Sequence, residues 1–517
     1  MNDNRVFKVF LIFLLAFFAV AFMAQILTSG GNVVGYSFRY LTPLAVVIGF
    51  MIPRFGFYLL LMAGAYLDLI KRFMILDSNF SDLDLAFLLG FAPALVAGMV
   101  LKFVIAVIMK SPTISRKDIY LFLITTALCM VLGGVQFIMA KGELRALGSG
   151  VNMVVYLYMP LIMSQIFKGR EDIRKLLTIT AIIYLPAALW AIQQSYFGLA
   201  SFEMQYLLSG RTIEVRQLDE EVFRNMGTMV SAHALSMVAS ILVAALIIPV
   251  SWKKWKLTPK AWLNPLRILS IAVFMAGAYF TFSRTGWVCA GVAIIAFICL
   301  QNKFLTYTAF FTALAGVVVM YLSASFLLET QVMNTVQEDL FKRFGSTAEM
   351  RQMMVLGTLN ARLDSMASFA TDPNLWTPFG LAAAGSNYHV DWVHDILTEM
   401  LVLVGFVPLA FLVCGFLFGA LVAFRTLYRM PRGQYRLMVT YFIALGLGIM
   451  SGAFSQGSMV LYFPINFFWC MFLGIAYCLI GWEKESRKQA RAAELQQSRR
   501  DSLNQGEEHH GRPITAS

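Results

Sequence analysis

Apolar runs of roughly 20 residues, the length that crosses bilayer hydrocarbon, recur along this chain and end in charges, Pro or Gly. We count about fourteen of them. Segments of this kind must satisfy their own backbone hydrogen bonds, and transmembrane strands would be shorter and alternating. The expectation is therefore an all-α polytopic membrane protein with about 12–14 transmembrane helices. A chain that is 59% hydrophobic and 14% charged, with mean hydropathy +0.70, has too little polar surface to make a soluble globule. The first run, Phe7 to Leu27, is too long for a signal peptide and lacks a small-residue cleavage site after a short apolar core, so it reads as a retained span.

The formal net charge of +12 does not gather on one soluble domain, which argues against nucleic acid as a partner. The cations mark alternate loops instead: Lys110 to Lys117, Lys168 to Lys175, Lys253 to Arg267, Lys303, Arg425 to Arg436 and the tail after Glu483. Cytoplasmic loops carry such an excess, so this threading places both termini inside. The intervening loops, near Asp77 to Asp84, Ser201 to Arg224, Ser283 to Thr285 and Gln331 to Asp395, mix both signs and face outward. Residues 1–482 form the membrane domain, with a large outer loop at 329–395 between late spans, and 483–517 form a basic cytoplasmic tail, partly helical or disordered. All six cysteines lie in apolar runs, which leaves neither a disulfide framework nor a CxxC metal site.

Spans one to seven, to about Phe197, carry few charges and read as scaffold. Asp68 and Lys102 sit within apolar runs, where a charge costs about 2.5–3.5 kcal/mol, so each is expected to find a partner or to snorkel. The outer segment after Phe197 holds Arg211, Arg216 and Arg224 among Glu214, Asp219, Glu220 and Glu221. Solvated charge accounts for most of these, but Arg224-Asn225-Met226-Gly227-Thr228 sets a guanidinium at the mouth of the next span. His233 lies just inside that span and reads as a packed, hydrogen-bonded histidine more readily than as a catalytic one. The following pair of spans is joined by Ser283-Arg284-Thr285-Gly286. An arginine in so tight a turn, with Gly286 allowing close backbone approach, suits a phosphate oxygen.

The long outer segment opens with apolar residues at helical spacing and with Lys342, Arg343, Arg351 and Arg362, so surface helices are expected there. Asp372-Pro373 and Trp376 to Gly380 break them. The chain then presents His389, Asp391, His394 and Asp395 before a span from Ile396 to Phe424, and Glu399 lies one turn beyond Asp395 on its face. These residues invite a divalent-metal reading, but their spacing matches no familiar metal motif and nearby arginines compete for the carboxylates. The alternative is a histidine general base beside arginines that hold a diphosphate, which describes group transfer from a diphosphate-linked lipid to an alcohol.

The Arg224 motif, the Ser283-Arg284-Thr285-Gly286 turn, the outer loop with Arg362, the Pro378-Phe379-Gly380 turn and His394-Asp395 followed by Leu397, Glu399 and Gly405 resemble the O-antigen ligase and O-antigen polymerase superfamily of bacterial envelope membrane proteins. Asp395 stands where that pattern usually has Asn or Ser. The resemblance covers about Phe223 to Leu409. It implies a metal-independent glycosyltransferase without cofactors, in the bacterial inner membrane, with its active site on the periplasmic face. The implied donor is a glycan on undecaprenyl diphosphate, and the acceptor is another lipid-linked glycan for a polymerase, or lipid A-core or a protein hydroxyl for a ligase. Carried over by motif, Arg224 and Arg284 grip the diphosphate and Arg362 assists, with Arg211 and Arg216 as further substrate-binding candidates. His394 activates the acceptor, and Asp395 or Glu399 orients it. Polysaccharide chain-length and export proteins are the implied protein partners. A polymerase is preferred to a ligase because the chain is long. A lipid-linked sugar transporter or a structural partner of the export machinery are the readings from other classes.

Overall fold

The computed structural model describes residues 33–76, 81–111, 114–139, 152, 154–209, 217–219, 222–329, 357–378, 380, 395–456 and 462–510. Its helices are α1 (Val33–Met51), α2 (Pro53–Ile75), α3 (Asp82–Ile108), α4 (Arg116–Met139), α5 (Met159–Ile166), α6 (Arg170–Phe197), α7 (Ser201–Leu208), α8 (Ala232–Ile247), α9 (Pro265–Phe280) and α10 (Arg284–Cys299). There follow α11 (Lys303–Glu329), α12 (Gly357–Thr371), α13 (Ile396–Val404), α14 (Phe406–Arg429), α15 (Gln434–Ser451), α16 (Ala453–Gln456) and α17 (Ile465–His510). Two small antiparallel hairpins, Gln217–Asp219 with Val222–Phe223 and Val250–Ser251 with Lys256–Leu257, are the only strands among the described residues. The architecture is that of an all-α polytopic membrane protein.

Local sequence sets the helix starts. Ser81 and Ser231 accept backbone N–H bonds from the first turns of α3 and α8, and Pro53 and Pro265 occupy first positions where no N–H is needed. Six helices are long and apolar enough to cross a membrane, and four shorter apolar helices of 10–17 residues accompany them among the described residues. The expected runs Met229–Val250, Ile268–Phe282 and Trp287–Leu300 are among the shorter ones, as α8, α9 and α10 of 16 residues each. Sixteen residues rise about 24 Å, less than the roughly 30 Å of bilayer hydrocarbon. Short spans of this kind draw the bilayer thin or bring their polar ends closer to the apolar layer. The expected first span, Phe7 to Leu27, lies outside the described residues.

Cross-helix hydrogen bonds fix the direction of each helix. At one end, Arg54 at the start of α2 pairs with Asp172 at the start of α6, and Arg267 at the start of α9 donates to carbonyls of Leu246, Ile248 and Val250 at the end of α8. Tyr477 of α17 donates to Asp118 at the start of α4, at 2.7 Å, and Tyr428 at the end of α14 meets Thr306 at the start of α11. The basic loops collect at this end. The opposite end gathers the last turn of α2, the end of α6, the start of α8, and the α9–α10 turn. A core built largely of Leu, Phe, Met and Ala side chains runs between the two ends, with Tyr156, Phe57, Phe167, Phe274, Phe442, Phe467 and Phe468 among its largest buried members.

One expectation is revised. The run Ile396 to Phe424 is not one helix: it breaks at Gly405, whose φ of +83° ends α13 before α14 begins. The carbonyls of Thr377 and Pro378 accept from the N–H groups of Phe406 and Val407 at 2.9 and 3.2 Å, so the Pro378 turn is what satisfies the second helix start. The helical part expected of the tail belongs to α17, which runs 46 residues without interruption as far as His510. Its Glu, Lys, Arg and Gln residues at three- and four-residue spacings support an exposed helix, with Arg487 donating to Glu483 one turn back.

Candidate functional site

The segment 224–231 crosses the end of the bundle as non-helical chain, and its position is set from beneath by Arg72. That side chain, 0% exposed on the last turn of α2, donates to Glu203 at 2.9 Å, to Asp68 at 3.2 Å, to the Gly227 carbonyl at 2.7 Å and to the Met229 carbonyl. Glu203, also buried, accepts further bonds from Gln194 at 2.6 Å and Trp190 at 3.1 Å. Gln194 closes the circuit by accepting from Gly227 N–H at 2.9 Å. Thr228 donates to the Ala65 carbonyl at 2.6 Å and Asn225 to the Phe280 carbonyl at 2.9 Å, tying the same segment to α2 and α9. The expectation that Asp68 finds an ion-pair partner is met by Arg72 and by Lys71 at 3.6 Å. Lys102 is exposed on the surface of α3.

Arg224, at the start of this segment, is brought against the α9–α10 turn by His233. The Arg224 Nη1 lies 2.8 Å from His233 Nε2, and His233 Nδ1 lies 2.8 Å from Ser283 Oγ. Ser236, one turn after His233, donates to the Ser283 carbonyl at 3.0 Å. The turn is held in an uncommon conformation, with Phe282 at φ +53°, a left-handed state that a bulky residue keeps only where its surroundings over-determine it. Arg284 follows as the first residue of α10 and is exposed, while Ser283, Thr285 and Gly286 are buried.

Gly286 sits directly against α8. A Cβ there would lie 2.2 Å from Ser236 Oγ and 2.4 Å from the Ser236 carbonyl oxygen. Gly286→Ala is expected to separate α8 from α10, pull Ser236 off the Ser283 carbonyl and destabilise the protein by about 1–3 kcal/mol, the range for overpacking. Thermal unfolding in detergent checks this, with Gly291→Ala, whose Cβ would meet nothing within 4 Å, as the control.

A third polar group lies where the outer segment returns to the membrane helices. Asp395 is 0% exposed and caps α13 by accepting from Thr398 N–H at 2.9 Å. Its carboxylate also accepts from Ser365 Oγ of α12 at 2.6 Å and from the Tyr321 hydroxyl of α11. Thr398 Oγ1 donates to the Ser365 carbonyl at 3.2 Å, so α11, α12 and α13 are fastened at one point. Glu399 is half-buried on the first turn of α13. Arg362 lies on α12, with its side chain outside the described residues, as are His389, Asp391, His394, Arg211 and Arg216 entirely. Among the described residues no three His, Cys, Asp or Glu side chains are grouped to hold a metal ion.

Of the expected site residues, Arg224 and the Arg284 turn are therefore brought together, and Asp395 serves as an anchor for three helices. The unexpected members are Arg72, Glu203 and Gln194 beneath the site and Tyr321 and Ser365 around Asp395, while His233, hydrogen-bonded as expected, is the link. Asp68-x-x-x-Arg72 within one apolar run was the available signal for the first group, since residues four apart share a helix face. No family model, no curated protein and no solved structure matches this chain.

Proposed function

We propose that this protein is a membrane glycosyltransferase that moves a glycan from undecaprenyl diphosphate to an acceptor hydroxyl on the periplasmic face, with a second lipid-linked repeat unit as acceptor, as in a polymerase. The observation that carries the reading is the pairing of Arg224 with the Ser283-Arg284 turn through His233, at the end of the bundle opposite the basic loops. Two guanidinium-bearing segments held at one place suit the two phosphates of a lipid diphosphate. His394 takes the proton of the acceptor hydroxyl as its oxygen bonds to the anomeric carbon. The bond from that carbon to the diphosphate breaks, and the diphosphate leaves with its charge held by Arg224 and Arg284. Arg362 assists from α12.

A transporter of lipid-linked sugars is expected to carry its polar groups near the bilayer midplane. Here the buried ionic group of Arg72 and Glu203 sits at the last turn of α2 and is closed on itself by hydrogen bonds, as befits a structural clamp. Purified protein given a defined lipid-diphosphate-linked repeat unit is expected to yield longer lipid-linked chains. Transfer only to lipid A-core or protein makes it a ligase, and no transfer to any acceptor overturns the enzyme reading. In the same assay Arg284→Lys is expected to be at least about tenfold slower, since a point ammonium keeps the charge but loses the planar fork. Wild-type turnover in that variant would leave Arg284 as an interfacial anchor.

A further inference from the structure

The His233 side chain touches both arginine-bearing segments. A guanidinium has only N–H donors, so at 2.8 Å from Arg224 Nη1 the His233 Nε2 must accept. A neutral ring whose Nε2 accepts carries its proton on Nδ1, and that N–H points to Ser283 Oγ at 2.8 Å. The geometry thus fixes the tautomer and makes a directed chain from Arg224 through the imidazole to the α9–α10 turn. Ser236 on the same face of α8 holds the Ser283 carbonyl, and Gly286 seats the start of α10 on Ser236, so the turn itself is rigid.

From this we infer that His233 is a positioning residue, which holds Arg224 in register with the Ser283-Arg284 turn so that both bind one lipid diphosphate as a unit. The inference rests on the glycosyl-transfer reading above and assigns His233 no contact with the reacting atoms. Its effect comes from preorganisation: an arginine already placed need not be ordered when the diphosphate arrives.

Two isosteric halves of the imidazole separate the links. In His233→Gln the amide oxygen reaches the Nε2 position and can accept from Arg224. In His233→Asn the shorter amide reaches only the Nδ1 position and keeps the Ser283 side. With undecaprenyl diphosphate titrated into full-length protein in nanodiscs, His233→Asn is expected to bind about tenfold more weakly, the size of one lost charge-assisted hydrogen bond. His233→Gln is expected to stay within about twofold, both variants to melt as wild type does, and His233→Asn to add nothing in an Arg224→Ala background. Nitrogen NMR of histidine-labelled protein should show His233 protonated at Nδ1, and this readout needs no substrate. The inference is overturned by Asn binding as tightly as Gln, by additive effects with Arg224→Ala, or by an Nε2-protonated ring. A wild-type protein that binds no lipid diphosphate overturns the glycosyl-transfer reading, and the Nδ1 signal then shows whether the Arg224–His233 link itself survives.

Discussion

Arg72→Leu will destabilise the protein by about 3–5 kcal/mol, the range for removing one partner from a buried ion pair. The reason is what stays behind. Glu203 is 1% exposed and would be left buried without its cationic partner, while the Gly227 and Met229 carbonyls lose their donor. The expected result is a large fall in folded yield and in melting temperature in detergent. Adding Glu203→Gln should return part of the loss, because no ionisable group is then left buried without Arg72, even though two polar side chains have been altered. Arg72→Lys should not rescue, since one ammonium cannot reach Glu203, Asp68 and two carbonyls spread around a planar guanidinium. Equal stability of Arg72→Leu and wild type would mean that the segment 224–231 is held without Arg72, by the bonds of Gln194, Asn225, Thr228 and His233.

The hydrophobic period and the placing of Lys and Arg were enough to read the helical architecture, because membrane helices announce themselves by length and by their charged ends. The Ser283-Arg284 turn was legible for a similar reason: too few residues separate two apolar runs for anything but a tight connection. Arg72 was not legible as a clamp. Its partners Glu203, Gly227 and Met229 lie 131, 155 and 157 residues away, and nothing local in the sequence marks a carbonyl as an acceptor. The break at Gly405 was hidden because hydropathy averages over a glycine between two apolar segments, whereas the backbone turns on its φ. Asp395 reads from sequence as a partner for the histidine beside it. Its bonds to Tyr321 and Ser365, 74 and 30 residues away, depend on how α11 and α12 pack.

His394→Ala is expected to slow glycan transfer about 10²- to 10⁴-fold, the usual contribution of a general base, while leaving lipid-diphosphate binding within about twofold. The chain has five histidines. His509 and His510 close the tail helix at the far end of the polypeptide, beyond the basic end of the bundle. In the tautomer inferred above, His233 has its Nε2 lone pair directed at Arg224 and its Nδ1 proton at Ser283, so it has no lone pair to offer an acceptor hydroxyl. His389 and His394 remain, and His394 is covalently joined to Asp395, which three donors from three helices hold in place. A base must stand within hydrogen-bond reach of the proton it takes, and a neighbour so firmly fixed is the better mounting for one. The paired measurement is His389→Ala, expected to turn over within a few-fold of wild type, about the tolerance for a residue outside the reacting groups. Reversal of that order, with His389→Ala inactive and His394→Ala normal, would move the base five residues upstream and leave Asp395 as an anchor for helices alone.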